Sequence, residues 1–182
     1  VGGEYVTSDI ALGVRVSVDV AEKLKTDYAD LTFCDLAKPK DEEIALSRID
    51  KKETETVSKL YLAQIAQARY KEILSLVNAE LKKLGRDGML PEGAVFVGGG
   101  SKARNLIELA KSELRLPCSI GFPEDQEYVT GTSVSDPGFA GAIGALLLSQ
   151  RVGGMNKGRM TIGAGIGGMK ESAKKFFKFL LP

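Results

Sequence analysis

The chain has 182 residues, 43% of them hydrophobic and 27% charged, and this composition excludes a disordered or fibrous protein. Its 25 basic and 24 acidic residues leave a net charge of +1, so no nucleic-acid partner is indicated. Histidine is absent and only two cysteines are present, which excludes Ser-His-Asp and Cys-His hydrolysis and predicts no metal site.

Two helices are predicted at the start of the chain. After a Gly-Gly turn, Thr7 or Ser8 could cap the first helix, with Asp9 in its first turn. The second helix runs from about Val18 to Tyr28, and Asp19 is a possible cap for it.

The middle of the chain predicts a small sheet followed by a long helix. Residues 31–37 and 42–49 alternate between apolar and polar, which indicates two strands joined across the polar turn KPKDE. Residues 53–84 contain one long amphipathic helix, and Gly85 to Gly88 end it. Its packing face is predicted from a three- and four-residue spacing of Leu62, Ile65, Ala66, Arg69, Ile73, Leu76, Val77 and Leu81.

A strand–turn–helix–strand unit begins at Ala94, with Gly98, Gly99 and Gly100 in its first turn. Glycines let backbone amides approach a ligand closely, and the helix that follows favours an anion at its N-terminus. The same residues spell G-x-G-x-x-A, and Glu124 and Asp125 lie roughly where a dinucleotide-binding Rossmann fold places its ribose-binding acid. A tight turn without a ligand, a phosphate site and an NAD-dependent oxidoreductase all remain open here, although a dinucleotide fold needs a second half.

The predicted second helix carries Glu22 and Lys25, which are three residues apart and therefore share a face. A carboxylate can accept hydrogen bonds from both hydroxyls of a ribose, and a lysine stem can cover a purine ring. The spacing taken alone favours an ordinary solvated ion pair over a nucleotide contact.

The last part of the chain changes character. Asp136-Pro137-Gly138 predicts a turn before a helix rich in small residues, and residues 151–169 form a glycine-rich linker. Residues 170–182 predict an amphipathic helix that lies in a membrane interface, or else docks on its own domain or on a partner. Its candidate membrane residues are Phe176, Phe177, Phe179, Leu180, Lys174, Lys175 and Lys178.

Four ordered segments resemble the bacterial cell-division family FtsA, of the actin superfamily. GGEYVTSDIALGVRVSVDVAEKLKTDYA is similar to the family's GG-x-x-(I/V)-T-x-DIA-x-G segment and its AE-x-LK motif, and LAQIAQARYKEILSLVNAEL to LAEIIEPRxxEILxLVxxEL. LPEGAVFVGGGSKARNLIELAKSELRLPCSIGFPE resembles LPAGVVLTGGGAxLxGLxELAxxVLxLPVRIGxPE, and DPGFAGAIGALLLSQR resembles DPxYATAVGLLLYA. A PilM-like actin homologue of type IV pilus assembly shares AE-x-LK and the triple glycine, but the basic, Phe-rich tail argues against it.

This resemblance implies an α/β chain that forms half of an actin-like ATPase, or ribonuclease H-like, fold with a small α+β subdomain inserted. Residues 1–17 and 87–150 would form subdomain 2A, residues 18–86 subdomain 2B, residues 151–169 the linker and residues 170–182 the membrane-targeting helix. The chain begins just after the place of the family's second phosphate loop, so we expect it to be the C-terminal half of a longer protein.

The resemblance also implies a site. ATP would lie against Gly98, Gly99, Gly100, Glu22 and Lys25, whereas Mg²⁺ and the phosphate loops would belong to parts of the site outside this chain. We therefore expect this chain alone to be catalytically inactive, with at most weak ATPase activity in the full-length protein. Arg69 matches the family's Pro-Arg position near the FtsZ-binding surface, although Ala66-Gln67-Ala68-Arg69 replaces Ile-Glu-Pro-Arg.

As a function, the resemblance implies an adaptor at the division septum. Such a protein would link the C-terminal tail of FtsZ, in filaments, to anionic lipids on the cytoplasmic face of the cell membrane. It would self-associate into actin-like filaments and contact other proteins of the divisome.

Overall fold

The structure, a computed structural model, describes residues 2–37, 40–123 and 135–152. Within these ranges the chain forms five α-helices and four short β-strands. Their bounds, in chain order, are α1 (Gly3–Val14), α2 (Val18–Asp27), β1 (Glu43–Ala45), β2 (Thr56–Ser58), α3 (Lys59–Lys83), β3 (Ala94–Phe96), α4 (Leu106–Leu114), β4 (Cys118–Ile120) and α5 (Ala140–Val152).

Both helices predicted at the start are present, but their caps were wrongly predicted. α1 begins at Gly3, so Thr7 and Ser8 lie inside it, where their hydroxyls bond back to carbonyls four residues earlier. α2 is capped by Ser17 rather than Asp19, because the Ser17 hydroxyl accepts a hydrogen bond from Val20 N at 3.4 Å.

The predicted pairing of residues 31–37 with residues 42–49 is wrong. β1 pairs antiparallel with β2, and Ile44 lies opposite Val57. Residues 33–35 form a 3-10 helix instead, because the Asp30 carboxylate accepts from Thr32 N and closes a turn there. Gln67 on α3 fixes this turn by donating to the Leu31 carbonyl at 2.8 Å and to Asp35.

The strand–turn–helix–strand unit is confirmed. β3 and β4 pair in parallel, with Val95 opposite Ser119, and α4 connects them. The predicted turn at Asp136 and the helix after it are confirmed as well, since Asp136 accepts from Gly138 N at 2.7 Å and α5 follows.

The buried core lies where α1, α2, α3 and α4 meet. Its largest fully buried side chains include Ile10 on α1, Leu24 on α2, Leu62 on α3 and Leu114 on α4. This core is continuous across the boundaries predicted for subdomains 2A and 2B, and that division remains a prediction.

The packing face of α3 was only partly predicted. Leu62 and Ala66 are buried as expected, but Leu76 and Val77 are 52% and 44% exposed. The 25 residues of α3 span about 37 Å, whereas α1 has 12 residues and α4 has nine, so the last turns of α3 have fewer neighbours. Its fully packed face ends at Leu74.

Some predictions fall outside the described residues. These are Glu124 and Asp125, the linker beyond Val152 and the terminal helix at residues 170–182 with its phenylalanines and lysines. Among the helices of the described ranges, none is both long enough and apolar enough to cross a membrane.

Candidate functional site

A cleft of about 820 Å³ opens between α2 and the turn that follows β3. Glu22 and Lys25 of α2 line one side, and Gly99 and Gly100 line the other. Thr7 of α1 and Tyr70 of α3 also line it. The structure thus brings together two segments that are more than seventy residues apart in the sequence.

Glu22 and Lys25 form an ion pair that is also hydrogen-bonded to α1. The Lys25 ammonium donates to Glu22 Oε2 at 2.6 Å, to Thr7 Oγ1 at 2.8 Å and to the Gly3 carbonyl at 3.2 Å. Thr7 in turn donates to Glu22 Oε2. The i, i+3 pair is therefore part of a hydrogen-bond network and differs from a freely solvated pair.

The Glu22 carboxylate is half exposed towards solvent and retains capacity to accept further hydrogen bonds. Partial burial raises its pKa, but the hydrogen bonds from Lys25 and Thr7 and the charge of Lys25 outweigh that effect. The net pKa of Glu22 lies below its ordinary value. Glu22 is therefore an anionic acceptor at the mouth of the cleft at neutral pH.

The glycine turn differs from a Rossmann phosphate loop. Gly98 has a φ of 89°, a conformation that favours glycine, and its amide donates to the Pro137 carbonyl at 2.8 Å. Gly99–Lys102 then form a 3-10 helix, and α4 begins only at Leu106, after the left-handed residue Asn105. Because the glycines do not enter α4 directly, the α4 N-terminus is not placed for the pyrophosphate contact of the oxidoreductase interpretation.

Gly99 and Gly100 present open backbone to the cleft. They are the first two residues of the 3-10 helix, and neither amide N–H donates a hydrogen bond within the described part of the chain. A Cβ atom built on Gly99 would meet no described atom within 4 Å. Gly98 belongs to the turn but is not among the residues that line the cleft.

Two contributors were missed by the sequence analysis. Tyr70 is only 7% exposed and donates from its hydroxyl to the Gly100 carbonyl at 2.9 Å. Burial, together with the negative charge of Glu22, raises the pKa of Tyr70, which keeps its hydroxyl protonated. Tyr70 lies four residues after Ala66 and four residues before Leu74 on α3, and this spacing could have predicted that it is buried. Nothing in the sequence indicated that its hydroxyl bonds to the Gly100 carbonyl.

The second missed contributor is the connection between residues 30–31 and the segment after the glycine turn. Leu31 N donates to the Arg104 carbonyl at 3.2 Å, and Asn105 donates from its side chain to Asp30 at 2.9 Å. Burial raises the pKa of Asp30, but hydrogen bonds from Thr32 and Asn105 and the charge of Arg104 bring it below its ordinary value. These contacts join the segment after α2 to the segment after the glycine turn, and Leu31 and Arg104 themselves line the cleft.

Lys102 lines the cleft beside the glycine turn and forms an ion pair with Asp136 at 2.5 Å. The hydrogen bond from Lys102 lowers the pKa of Asp136 below its ordinary value. The hydrogen bond from Gly138 N lowers this pKa further. This pair and the Gly98–Pro137 hydrogen bond tie the glycine turn to the segment that precedes α5.

Arg69 lies outside the cleft, at the contact between α3 and α1. Its guanidinium donates to both oxygens of Asp9, at 2.5 and 2.8 Å, and to Glu72 at 2.5 Å. Hydrogen bonds to Asp9 raise the pKa of Arg69. These intramolecular bonds give Arg69 a structural role that the sequence did not predict, and its predicted partner-binding role stays a prediction.

The cleft combines features that suit a nucleoside phosphate. Ala29, Leu31 and Ala66 add apolar surface, Glu22 is an anionic acceptor, and the Gly99 and Gly100 amides donate no hydrogen bond within the described part of the chain. Within the described ranges, no group of three or more acidic or cysteine side chains is placed to hold a metal ion. The cleft thus offers a ligand a carboxylate, backbone amides and apolar surface.

Comparison of the fold with solved structures identifies its class. The chain matches the crystal structure of MreB5 of Spiroplasma citri bound to ADP with a TM-score of 0.53, over 84% of this chain and 46% of that one, at 16% sequence identity. The fold is therefore that of an actin-like protein and not a dinucleotide-binding Rossmann fold. A family model described as Cell division protein FtsA matches residues 1–144, and the chain belongs to this family of cell-division proteins.

Individual relatives agree with this assignment. The chain is 32% identical to Cell division protein FtsA of Pseudomonas aeruginosa over 149 residues, and 30% identical to that of Bacillus subtilis over 138 residues. These alignments cover 81% and 73% of this chain, but only 34% and 31% of the relatives. The chain thus spans about a third of the length of the curated relatives that it matches.

Proposed function

We propose that this chain supplies one wall of an ATP-binding cleft in an actin-like adaptor of cell division. One observation carries the proposal: Glu22 and Lys25 line the same cleft as Gly99 and Gly100. Glu22 would accept hydrogen bonds from the ribose, the Lys25 stem would lie against the purine, and the glycine backbone would approach the nucleotide without a Cβ atom. The solved relative in fold, MreB5, is described as bound to ADP, which supports a nucleotide as the ligand.

The wider role is an expectation from the family to which the chain belongs. The intact protein would self-associate, hold FtsZ filaments by their C-terminal tails and contact other proteins of the division septum. Residues 170–182 would attach it to anionic lipids on the cytoplasmic face of the membrane, because on a helical wheel most of their lysines lie opposite the face formed by Phe176, Phe177 and Leu180. Bound ATP would set how the two lobes of the intact protein close, with Mg²⁺ held by parts outside this chain.

Gly99→Val tests the nucleotide site in the intact protein. A Cβ at Gly99 meets no described atom within 4 Å, so we expect the substitution to preserve the empty fold and to clash with a ligand bound against the turn. We expect ATP affinity to fall at least about tenfold in calorimetric titration. Gly144→Val on α5 is the matched control, because its Cβ also meets no described atom and it lies outside the cleft.

Three results would count against the proposal. Unchanged ATP affinity in Gly99→Val would move the site away from the glycine turn. An equal loss in Gly144→Val would show that the effect is not local. Tight NADH binding that ATP does not compete with would favour dinucleotide chemistry instead.

A further inference from the structure

The glycine turn is held by contacts near each of its two ends. Gly99 and Gly100 have no side chains, and their peptide planes can rotate more freely than those of other residues. Gly98 N is fixed by the Pro137 carbonyl at 2.8 Å, at the start of the turn. Ser101 Oγ also bonds to the Gly98 carbonyl, but that contact lies within the turn itself.

Tyr70 anchors the other end of the turn. Its hydroxyl reaches the turn from α3 and donates to the Gly100 carbonyl at 2.9 Å. The same carbonyl also accepts from Ala103 N, at a longer 3.3 Å. The Tyr70 ring is 7% exposed and belongs to the buried hydrophobic core, so its hydroxyl is held in a fixed place.

A second contact places the anchored turn next to the charged pair. A Cβ built on Gly3 would lie 3.6 Å from Gly100 Cα and 3.9 Å from Lys25 Nζ, so the start of α1 is packed between them. Lys25 also donates to the Gly3 carbonyl. A continuous set of contacts thus runs from Tyr70 through Gly100 and Gly3 to Lys25.

We propose that Tyr70 is a positioning residue of the cleft, which holds the Gly100 peptide so that the glycine backbone and the Glu22–Lys25 pair face one ligand together. The inference rests on the proposed function, because it assigns Tyr70 a role in binding the same nucleotide. Tyr70 acts through the turn, and its ring fills the core independently of that role. The two roles are separable, since Tyr70→Phe removes the hydroxyl and keeps the ring.

The test uses the intact protein and two variants. Tyr70→Phe is compared with Tyr61→Phe, which removes a hydroxyl on the same helix that donates to the Gly13 carbonyl at 3.4 Å, outside the cleft. We expect Tyr70→Phe to lower ATP affinity about fivefold, as expected for loss of one hydrogen bond. We also expect faster amide hydrogen exchange across residues 98–103 in the unliganded variant. Tyr61→Phe should change neither measurement, and the melting temperatures of the two variants should be similar.

The outcomes separate this inference from the proposed function. If the wild type binds ATP and Tyr70→Phe binds it equally well, the positioning role is wrong and the nucleotide site stands. If affinity falls without faster exchange at residues 98–103, or falls equally in Tyr61→Phe, positioning through the turn is also wrong. If the wild type does not bind ATP, the proposed function and this inference are both overturned.

Discussion

Arg69 on α3 donates two parallel hydrogen bonds to the Asp9 carboxylate on α1, at 2.5 and 2.8 Å. Both side chains are 27% exposed, so the pair is partly shielded from solvent. Since α1 also carries Thr7, which supports the Glu22–Lys25 pair, the Arg69–Asp9 contact fixes the helix beneath the cleft. The residue predicted as a partner contact is therefore first a link between two core helices.

Arg69→Lys should lower the melting temperature of the intact protein by about 2–4 °C, because a lysine cannot make the paired contact. Arg115→Lys is the matched control, since Arg115 pairs with Asp87 but is 65% exposed. Thermal unfolding of both variants is the measurement. If the melting temperature falls no more for Arg69→Lys than for Arg115→Lys, the structural role of Arg69 is contradicted. If Arg69→Lys instead loses binding of an FtsZ tail peptide while its stability is unchanged, Arg69 contacts that peptide directly.

Glu22→Gln should weaken ATP binding about tenfold, because the charged acceptor is lost from the cleft and Lys25 loses the only carboxylate among its three hydrogen-bond acceptors within the described residues. The control is Glu80→Gln. Glu80 forms the same i, i+3 pair with Lys83, but it is exposed on α3 and outside the cleft. Titration calorimetry measures both, and equal affinities for the two variants would exclude Glu22 from the site.

Gly93→Ala should destabilise the protein by at least about 3 kcal/mol. Gly93 has a φ of 76°, and a Cβ there would lie 2.1 Å from the Pro117 carbonyl oxygen, which accepts the hydrogen bond from Ala94 N. Gly88 has a φ of 65° with no described atom near its Cβ, so Gly88→Ala should cost only about 1–2 kcal/mol. Denaturant unfolding compares them, and similar values would show that β3 and β4 are not packed as described.

Acid should destabilise the protein partly through Asp30. Its folded pKa lies below the ordinary value of 3.8, so its contribution is fully present above that value and is lost as the pH falls through the folded pKa. Asp30→Asn should therefore lower the melting temperature at about pH 7, and its difference from the wild type should shrink progressively as the pH falls below 3.8. Glu92→Gln, at an exposed carboxylate, is the control. A pH-independent effect of Asp30→Asn would contradict this account.

Phe176→Glu combined with Phe177→Glu should abolish co-sedimentation of the intact protein with anionic liposomes. The two new charges oppose insertion among lipids, and apolar burial by the phenylalanines is lost. Met155→Glu with Met160→Glu places the same charges in the glycine-rich segment and should leave sedimentation unchanged. Sedimentation of the phenylalanine variant at the wild-type level would place the anchor elsewhere.

The parts of the fold with strong local signals were predicted well. The triple-glycine turn between two strands and the long helix ended by Gly85 have periodic or conformational causes within a few residues of sequence. The cleft was predicted by matching two distant segments to a family, since periodicity alone does not place Glu22 near Gly99.

The failures have a common physical cause. Residues 31–37 alternate like a strand, but Gln67, more than thirty residues away, and the Asp30 side chain hold them in a turn. Tyr70 was missed because its hydroxyl partner is a backbone carbonyl thirty residues further along the chain. Side-chain contacts of this range are set by tertiary packing, which residue spacing does not report.

A structure of the intact protein with bound ATP or ADP, by crystallography or cryo-EM, tests the central claim most directly. We predict the nucleotide in the cleft, with a ribose hydroxyl at about 3 Å from the Glu22 carboxylate and the backbone of Gly99 and Gly100 against the ligand. A nucleotide bound without contact to Glu22 or the glycine turn would contradict the account.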